Sequence, residues 1–457
     1  MICSGPERAG DKGGYVRRTR WVALIATTVL AMSATTAIAS AQGGDEKPEA
    51  SEVGITADEI RIAVIADVEN PLAPGLFEGA REGVEGWAEN INKKGGLAGR
   101  EVVVDFIDSH LSADDSRNAF IKACSEDFAV VGAAALFLNN VDDVEACVDQ
   151  AGEATGLPDI AVVTTEVVQQ CSPTTFGINP PTIVCDTKDD HPQTYQGNAG
   201  RAYYYEKEFG KDLHGTYIYS ADLKAANNAN RASMTQMQKV GIKADEEVDI
   251  SARAPQSEYT PVIQSMKDNS SNYAQSGSAV NSTVALRKEA KLQGLTDPDI
   301  IWDCTLQCYD DALIEQGGQD VEGQYVSLLF LPFEEANTNK ELKTFLKTVG
   351  KDEADGFGAQ AWASGVLFQQ AVEAIVEQSG ENGITRQALF DELNKVTAFD
   401  ANGMIGTVNV GERVPTPCYA LMQVKDGKFV RVTPTKKGTF NCDKKNLQQV
   451  ELDLLSD

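Results

Sequence analysis

The fold class is decided by three consecutive segments: EIRIAVIA at Glu59–Ala66, FEGAREGVEGWAENIN at Phe77–Asn92 and EVVVDFID at Glu101–Asp108. The first and third are short runs rich in β-branched residues, which favours strands. A strand–helix–strand order requires a parallel sheet with a crossover connection, and ligands bind such sheets at the carboxyl ends of the strands. The middle segment is predicted to be a helix because its apolar residues share one helical face: Phe77, Ala80, Val84, Trp87, Ala88 and Ile91.

The same alternation continues along the chain and predicts an α/β protein with two doubly wound lobes and parallel sheets. Further helices are predicted at 140–151, from Tyr195 to Phe209 and at 357–378, and a hairpin around Asp426-Gly427 closes the chain. Prolines mark three places where the chain can pass between lobes: Pro180-Pro181, Pro332, and Pro415 with Pro417.

The first 41 residues are typical of a secretory signal. Basic residues at Arg17, Arg18 and Arg20 precede the apolar stretch Trp21–Ile38, and small residues follow at 39–41. We expect cleavage there, a flexible tail at 42–55, and export to the periplasm or the cell envelope without a lipid anchor. The apolar stretch is long for a signal, so an uncleaved membrane anchor stays an alternative.

The charge balance excludes one class of partner. The chain carries a formal net charge of −28, and a strongly acidic protein repels the phosphate backbone of nucleic acid. The acidic residues are spread along the chain, which indicates solubility rather than a dedicated metal store.

Eight cysteines remain beyond the signal, and an even number in an exported chain predicts disulfides. Eight cysteines allow 105 pairings, so the sequence leaves the connectivity open. We expect chain neighbours to pair. Cys304-Thr-Leu-Gln-Cys308 leaves a metal site as the competing interpretation. The expected bridges are Cys124–Cys147, Cys171–Cys185, Cys304–Cys308 and Cys418–Cys442.

Catalytic patterns are poor. The chain has three histidines, His110, His191 and His214, and none has metal-ligand spacing with another. It has no Gly-x-Ser-x-Gly elbow and no phosphate-binding loop. The dinucleotide-like pattern at Gly356–Ala361 follows an acidic loop rather than a strand. We therefore expect no catalytic residues, no cofactor and no metal, and we predict a binding protein rather than an enzyme.

Two further segments carry a family resemblance. GITADEIRI at Gly54–Ile62 and INKKGGLAGR at Ile91–Arg100 resemble the start of type I periplasmic binding proteins. These are the leucine/isoleucine/valine-binding-protein-like, substrate-binding components of ABC transporters. The resemblance is strong over residues 54–170 and continues to about residue 430. The Cys124–Cys147 bridge matches one found in that family.

The resemblance implies two lobes joined by three hinge crossovers. It places lobe 1 at 56–179 and 333–412, and lobe 2 at 180–332 and 413–457. In this fold the ligand lies between the lobes, against the loops at the strand ends, and the start of the helix at Gly358–Trp362 faces the cleft in relatives. The implied ligand-binding residues are Asn70, Ala134, Phe137, Thr164, Thr165, Asp222, Ser276, Gly277, Gln307, Tyr309, Gln360 and Trp362.

Two of these loops depart from the amino-acid binders. Asp67–Pro74 (DVENPLAP) replaces the Gly-Pro-x-Ser-Gly motif usual in the amino-acid binders, and Gly132–Phe137 (GAAALF) has no side-chain hydroxyl. Backbone N–H groups and hydroxyls in such loops commonly hold a carboxylate. The sequence therefore leaves both an amino-acid-like and a more apolar solute open, with Ala133–Phe137 as an apolar wall.

The predicted function is that of an extracytoplasmic solute-binding protein of an ABC importer, which acts as a monomer and docks on a membrane permease. One alternative is a receptor in which two lobes close on a ligand to signal rather than to transport it. A second is an exported hydrolase, for which the three histidines leave little room. A third is a cell-wall scaffold with a degenerate cleft.

Overall fold

The computed structural model describes residues 47–71, 74–179, 182–222, 224–277 and 279–455. The predicted signal, part of the predicted tail and the Pro180-Pro181 crossing lie outside these residues. Within them, no helix combines the length and the apolar character needed to cross a membrane.

The first sheet has four parallel strands in the order β2-β1-β3-β4. Its central strand β1 is buried along most of its length, as expected for a parallel sheet covered on both faces. The order places β1 between β2 and β3, so the loops that follow these three strands lie side by side. The strands are β1 Glu59–Ala66, β2 Glu101–Asp108, β3 Ala129–Ala134 and β4 Asp159–Val163.

The second sheet has seven strands in the order β12-β11-β10-β9-β8-β6-β7. Five of them run parallel, and the hairpin β11–β12 adds an antiparallel edge. The hairpin turns at Asp426 and Gly427, both with positive φ, as predicted from this pair. The strands are β6 His214–Ser220, β7 Lys243–Ile250, β8 Tyr273–Ser276, β9 Ile301–Cys304, β10 Tyr325–Leu328, β11 Ala420–Lys425 and β12 Lys428–Thr433.

Helices cover both sheets and follow the predicted alternation. The chain passes between the sheets three times: after β4, after β10 and before β11. The fold is therefore the predicted α/β class with two doubly wound lobes. The helices are α1 Glu78–Asn92, α2 Ala113–Glu126, α3 Asp142–Glu145, α4 Val167–Gln170, α5 Gly200–Phe209, α6 Lys224–Val240, α7 Thr260–Asn269, α8 Val280–Leu292, α9 Asp311–Gly317, α10 Lys340–Thr348, α11 Gly356–Ser379 and α12 Arg386–Leu393.

Two predicted helices were wrong in part. The helix expected from Tyr195 begins only at Gly200, because Gln193–Asn198 forms strand β5 and pairs antiparallel with β13, Leu447–Leu452. The helix expected at 140–151 is a single turn, α3. Beyond it, the Asp149 carboxylate accepts hydrogen bonds from the N–H groups of Ala151 and Glu153, both at 2.9 Å, and this turn competes with a helix.

Four disulfides join chain neighbours: Cys124–Cys147, Cys171–Cys185, Cys304–Cys308 and Cys418–Cys442. The third closes the turn that follows β9. No cysteine in the described part of the chain is left for a thiolate metal site of the kind considered for Cys304 and Cys308.

Glycines allow α1 to lie directly against α11, which in turn crosses β3 and β4. A Cβ on Gly83 would stand 2.2 Å from the Gly358 carbonyl oxygen, and a Cβ on Gly365 would stand 2.4 Å from the Trp87 ring. The two helix backbones therefore touch where side chains would otherwise separate them, and this contact fixes the start of α11 over the first sheet.

We predict that Gly83→Ala destabilises the protein although alanine favours helix formation by about 1 kcal/mol. The added methyl group collides with backbone that cannot move aside, and such overpacking costs about 1–3 kcal/mol or more. Urea denaturation measures the change. Asn90→Ala on the same helix is the control, and equal stability of the two variants would contradict the close contact.

A second prediction concerns Asp159, whose side chain is buried and accepts hydrogen bonds from Gln169 at 3.1 Å and Thr175 at 3.2 Å. Burial raises the pKa of Asp159 to about 7, although these two hydrogen bonds oppose the shift. The folded state therefore holds this proton over a wider pH range than the unfolded state, where the pKa is about 3.9. This contribution to stability is complete below pH 4 and is lost as the pH rises to about 7.

The unfolding free energy of the wild type should thus fall from pH 5 to pH 8, with a slope of at most about 1.4 kcal/mol per pH unit from this group. Asp159→Asn cannot titrate and should show a flatter profile in chemical denaturation. Parallel profiles for the two proteins would contradict the assignment.

Candidate functional site

One buried carboxylate organises the carboxyl edge of the first sheet. Asp67 follows β1 and is fully buried. Its Oδ1 accepts hydrogen bonds from the Ser109 hydroxyl at 2.6 Å and the Leu111 N–H at 2.8 Å, and its Oδ2 accepts from the Leu136 N–H at 2.8 Å. A single side chain therefore ties together the loops after β1, β2 and β3.

The loop after β4 joins the same network. The Thr165 hydroxyl donates to the Leu136 carbonyl at 2.8 Å, and the Asp67 N–H donates to the Ala134 carbonyl at 3.1 Å. Ala134 is fully buried, whereas Phe137 and Thr164 are partly buried. The Leu136 N–H and the Thr165 hydroxyl at this edge thus already have partners within the protein.

Asp108 plays a similar part beside them. Its carboxylate accepts hydrogen bonds from the N–H groups of Val68 at 3.1 Å and Glu69 at 2.8 Å. Asp108, Glu69 and His110 hold three possible metal-ligand atoms within 4.8 Å of one another. Because Asp108 already accepts these backbone hydrogen bonds, the group serves to hold the loop, and nothing else marks it as a metal site. Asn70, in the same loop, is buried.

The loops at the carboxyl ends of the second sheet lie opposite the carboxyl edge of the first sheet. Asp222 is exposed and accepts a hydrogen bond from the Ala252 N–H at 2.6 Å, which holds the 251–254 loop. Arg253 of that loop donates across the cleft to the Pro71 carbonyl. The other predicted residues of this rim are Ser276, which is buried, and Gly277 and Gln307, which are partly buried.

Two cavities lie between the sheets near the first crossing. The cleft cavity, of about 320 Å³, is lined on one side by Thr165–Val168 and Gln170 and on the other by Lys224, Ala225, Asn228 and Ala229. The hinge cavity, of about 240 Å³, is lined by all three crossings. Its polar lining residues are Asn179, Thr182, Gln196, Asn198, Arg201, Ser233, Gln236, Thr305, Ser327, Gln360 and Thr416, and its larger apolar ones are Leu306, Leu329 and Pro415.

Of the predicted ligand-binding residues, Thr165 lines the cleft cavity and Gln360 lines the hinge cavity. Asn179 donates a hydrogen bond to the side-chain Oε1 of Gln360 and another, at 3.2 Å, to the Val162 backbone carbonyl. The start of α11 therefore reaches the hinge cavity through Gln360.

Trp362 occupies a different position from the one expected. It is fully buried, packs against Phe345, and donates from Nε1 to Glu341 at 2.7 Å. Residues two positions apart on a helix point about 200° apart, so Trp362 turns into the core when Gln360 faces the cavity. A packing role replaces the predicted ligand contact.

Tyr309 also turns away from the cleft. The Cys304–Cys308 bridge closes a tight turn, after which the ring packs among Phe330, Phe333 and Phe429. Its hydroxyl donates to Glu334 at 2.7 Å, and burial, followed by the charge of Glu334, raises the Tyr309 pKa well above its ordinary value. Tyr309 lines a separate acidic cavity of about 390 Å³.

A charged group that was not predicted from the sequence lies at the base of the hinge cavity. Arg201, on the first turn of α5, pairs with the buried Asp303 at 2.7 Å. Asp303 also accepts hydrogen bonds from Tyr205 at 2.8 Å and Tyr273 at 2.7 Å. Burial acts to lower the pKa of Arg201, but the adjacent Asp303 raises it above its usual value, so the guanidinium is charged.

A family model described as periplasmic binding protein matches residues 59–428. The chain belongs to this family. This periplasmic binding protein has no matching sequence among curated proteins, so solved structures supply the remaining comparisons.

Among the similar structures is an ABC transporter substrate-binding protein from Aeropyrum pernix, with a TM-score of 0.65 and 16% identity over 85% of this chain and 97% of that one. A fatty acid ABC transporter substrate-binding protein from Thermomonospora curvata gives 0.65 and 14%, over 86% and 95%. A solute-binding protein from R. palustris in complex with 4-hydroxybenzoate gives 0.62 and 16%, over 84% and 98%. At these identities the likeness shows a shared fold.

We predict that Asp67→Asn destabilises this periplasmic binding protein by about 1–3 kcal/mol, because the amide cannot accept on both sides and leaves a buried N–H or hydroxyl unpaired. Asp58→Asn is the matched control, because Asp58 is an exposed aspartate immediately before β1. Urea denaturation measures both. Equal stability of the two variants would show that the loops do not depend on the carboxylate.

Proposed function

We propose that this protein is the extracytoplasmic solute-binding component of an ABC importer and closes two lobes on a small organic solute. One observation carries the proposal: the carboxyl ends of two parallel sheets face a common cleft, and the cleft cavity is lined from both sides. This is the position at which sheets of this class bind ligands. We assign lobe 1 to 56–179 and 333–412, and lobe 2 to 180–332 and 413–457.

The crossings suit a hinge. The Gly406 N–H donates to the Leu329 carbonyl at 2.7 Å and the Leu331 N–H donates to the Met404 carbonyl at 2.9 Å, which pairs the second crossing with the third. Pro332 lies in the second crossing. A solute held by both lobes binds the closed form more tightly than the open form and so shifts the population towards closure.

The contact between Arg253 and the Pro71 carbonyl supports a closed arrangement, since it joins the two rims directly. We propose that a membrane permease recognises this closed form and that the protein acts as an exported monomer, released from its signal near residue 42. Binding and release, rather than catalysis, is the proposed activity.

For the solute contacts we keep the rim residues expected from the sequence. Phe137 supplies an apolar surface, and polar groups near it fix the orientation of the solute. Tyr195 adds a candidate, because it lines the cleft cavity and its buried hydroxyl has no partner among the described residues. The proposed contacts are Asn70, Ala134, Phe137, Thr164 and Thr165 from lobe 1, Asp222, Ser276, Gly277 and Gln307 from lobe 2, and Gln360 at the hinge.

The test is a thermal-shift screen of small acids, amino acids, amides and sugars, followed by titration calorimetry on the solutes that stabilise the protein. We predict that Phe137→Ala weakens binding by about 1–3 kcal/mol, the value of a buried large apolar side chain, and that Gln307→Ala from the opposite lobe also weakens it.

Phe209→Ala is the matched control, because Phe209 is exposed on α5. This substitution should leave the affinity unchanged. A solute that binds with the same affinity when Gln307 or any other second-lobe contact is substituted would contradict a site shared by two lobes. Failure of every solute class to bind would remove the proposed function itself.

A further inference from the structure

The hinge cavity is lined by Arg201 and Gln236, whose side chains carry donors without hydrogen-bond partners among the described residues. Neither residue is among the solute contacts proposed above. We propose that it receives the acidic group of the transported solute, a carboxylate, on the Arg201 guanidinium and the Gln236 amide. This assignment rests on the proposed function and names the chemical class of the solute.

Arg201 is the first donor. Its side chain is 4% exposed and lines the cavity. Nε donates to Asp303, but Nη2 has no hydrogen-bond partner among the described residues. A buried charged donor without a partner costs free energy that a ligand acceptor can recover, and guanidinium groups bind carboxylates through paired N–H donors.

Asp303 does not supply the missing acceptor, since Nη2 makes no hydrogen bond to it. Its two oxygens already receive Arg201 Nε, the Tyr205 hydroxyl and the Tyr273 hydroxyl. These three donors fix the carboxylate beneath the cavity and hold the guanidinium in one orientation. The free donor of Arg201 is therefore preorganised, which reduces the entropy that a ligand must lose on binding.

Gln236 is the second donor. It is 1% exposed, lies on α6 and lines the same cavity, and its Nε2 has no partner among the described residues. Its Oε1 lies against Gly197 of β5, where a Cβ would stand 2.3 Å away. The absence of a side chain at Gly197 lets the amide reach the cavity.

The rest of the lining is neutral. Among the described residues that line the cavity, Arg201 alone is charged, in a chain whose net charge is −28. The acidic cavity beside Tyr309, with Asp310, Asp311 and Asp355 among its lining, shows the opposite character. Asp303 balances the charge of Arg201, so the cavity offers a small anion an unpaired guanidinium donor rather than a net positive charge.

The carboxyl edge of the first sheet offers no equal alternative. The Leu136 N–H is taken by Asp67 and the Thr165 hydroxyl is taken by the Leu136 carbonyl. A solute that reaches the hinge cavity meets the unpaired donors of Arg201 and Gln236, and Leu306 and Leu329 provide apolar contact for its carbon skeleton. At about 240 Å³ the cavity holds the acidic end of a small solute.

The experiment compares small carboxylic acids with their primary amides: 4-hydroxybenzoate, 3-methylbutanoate, octanoate and L-leucine, each against its amide, by titration calorimetry in chloride-free buffer. We expect at least one acid to bind and its amide to bind about tenfold more weakly or worse, since a hydrogen bond to a charged group is lost. Inorganic phosphate and chloride are titrated separately.

The matched variants are Gln236→Glu, which places a negative charge in the cavity, and Gln150→Glu, which adds the same charge at an exposed position. We expect the first to weaken acid binding by about tenfold or more, as one repulsive buried contact does, and the second to leave it unchanged. The acid–amide comparison on the wild type needs no variant and decides the question if Gln236→Glu does not fold.

Three results would overturn the assignment. The first is that acids and their amides bind with equal affinity, and the second is that Gln236→Glu and Gln150→Glu bind the acid equally well. The third is that chloride or phosphate saturates the protein while no acid binds. An uncharged solute that depends on both lobes but not on Gln236 would also overturn it, while the clamp itself would stand. Failure of the clamp is a separate result, namely that no solute of any class binds.

Discussion

The carboxylate of Asp67 is the constraint on which the cleft depends. It is buried at the end of β1 and satisfies two backbone N–H groups and one hydroxyl from neighbouring loops. Those donors stand where a parallel sheet commonly presents them to a ligand. Because the protein supplies its own carboxylate, these three donors are paired without a solute, whereas the described Arg201 and Gln236 keep unpaired donors nearer the hinge.

Hydrogen bonds join the crossings that form the proposed hinge. Asn198 of β5 donates to the carbonyls of Thr416 at 3.0 Å and Cys418 at 3.1 Å, which joins the first crossing to the third. Gly83 and Gly358 bring α1 and α11 into backbone contact on the other side. These contacts support the proposal that each lobe moves as one body about the crossings, as in hinged domain closure.

The sequence predicted elements whose pattern is local. The helix Glu78–Asn92 and the strands on either side of it follow from apolar periodicity alone. Strand β5 was missed because its partner β13 lies about 250 residues further along the chain, and nothing local distinguishes Gln193–Asn198 from a helix start. The same error hid Arg201, whose position on the first turn of α5 is visible only when that helix begins at Gly200.

The candidate site was predicted in outline, and family resemblance rather than periodicity supplied most of it. The loops at the strand ends follow from topology, and the start of α11 does reach the cavity. Which side chain points inward depends on packing that sequence does not show, as Gln360 and Trp362 illustrate. Donors such as Gln236 become recognisable only when the hydrogen bonds of every neighbour are known.

Small-angle scattering with and without a saturating solute tests the central claim, that two lobes close on a shared ligand, most directly. We expect a smaller radius of gyration in the bound state, because lobe closure compacts the molecule. An unchanged radius under conditions where calorimetry shows full occupancy would contradict the clamp and indicate a rigid pocket.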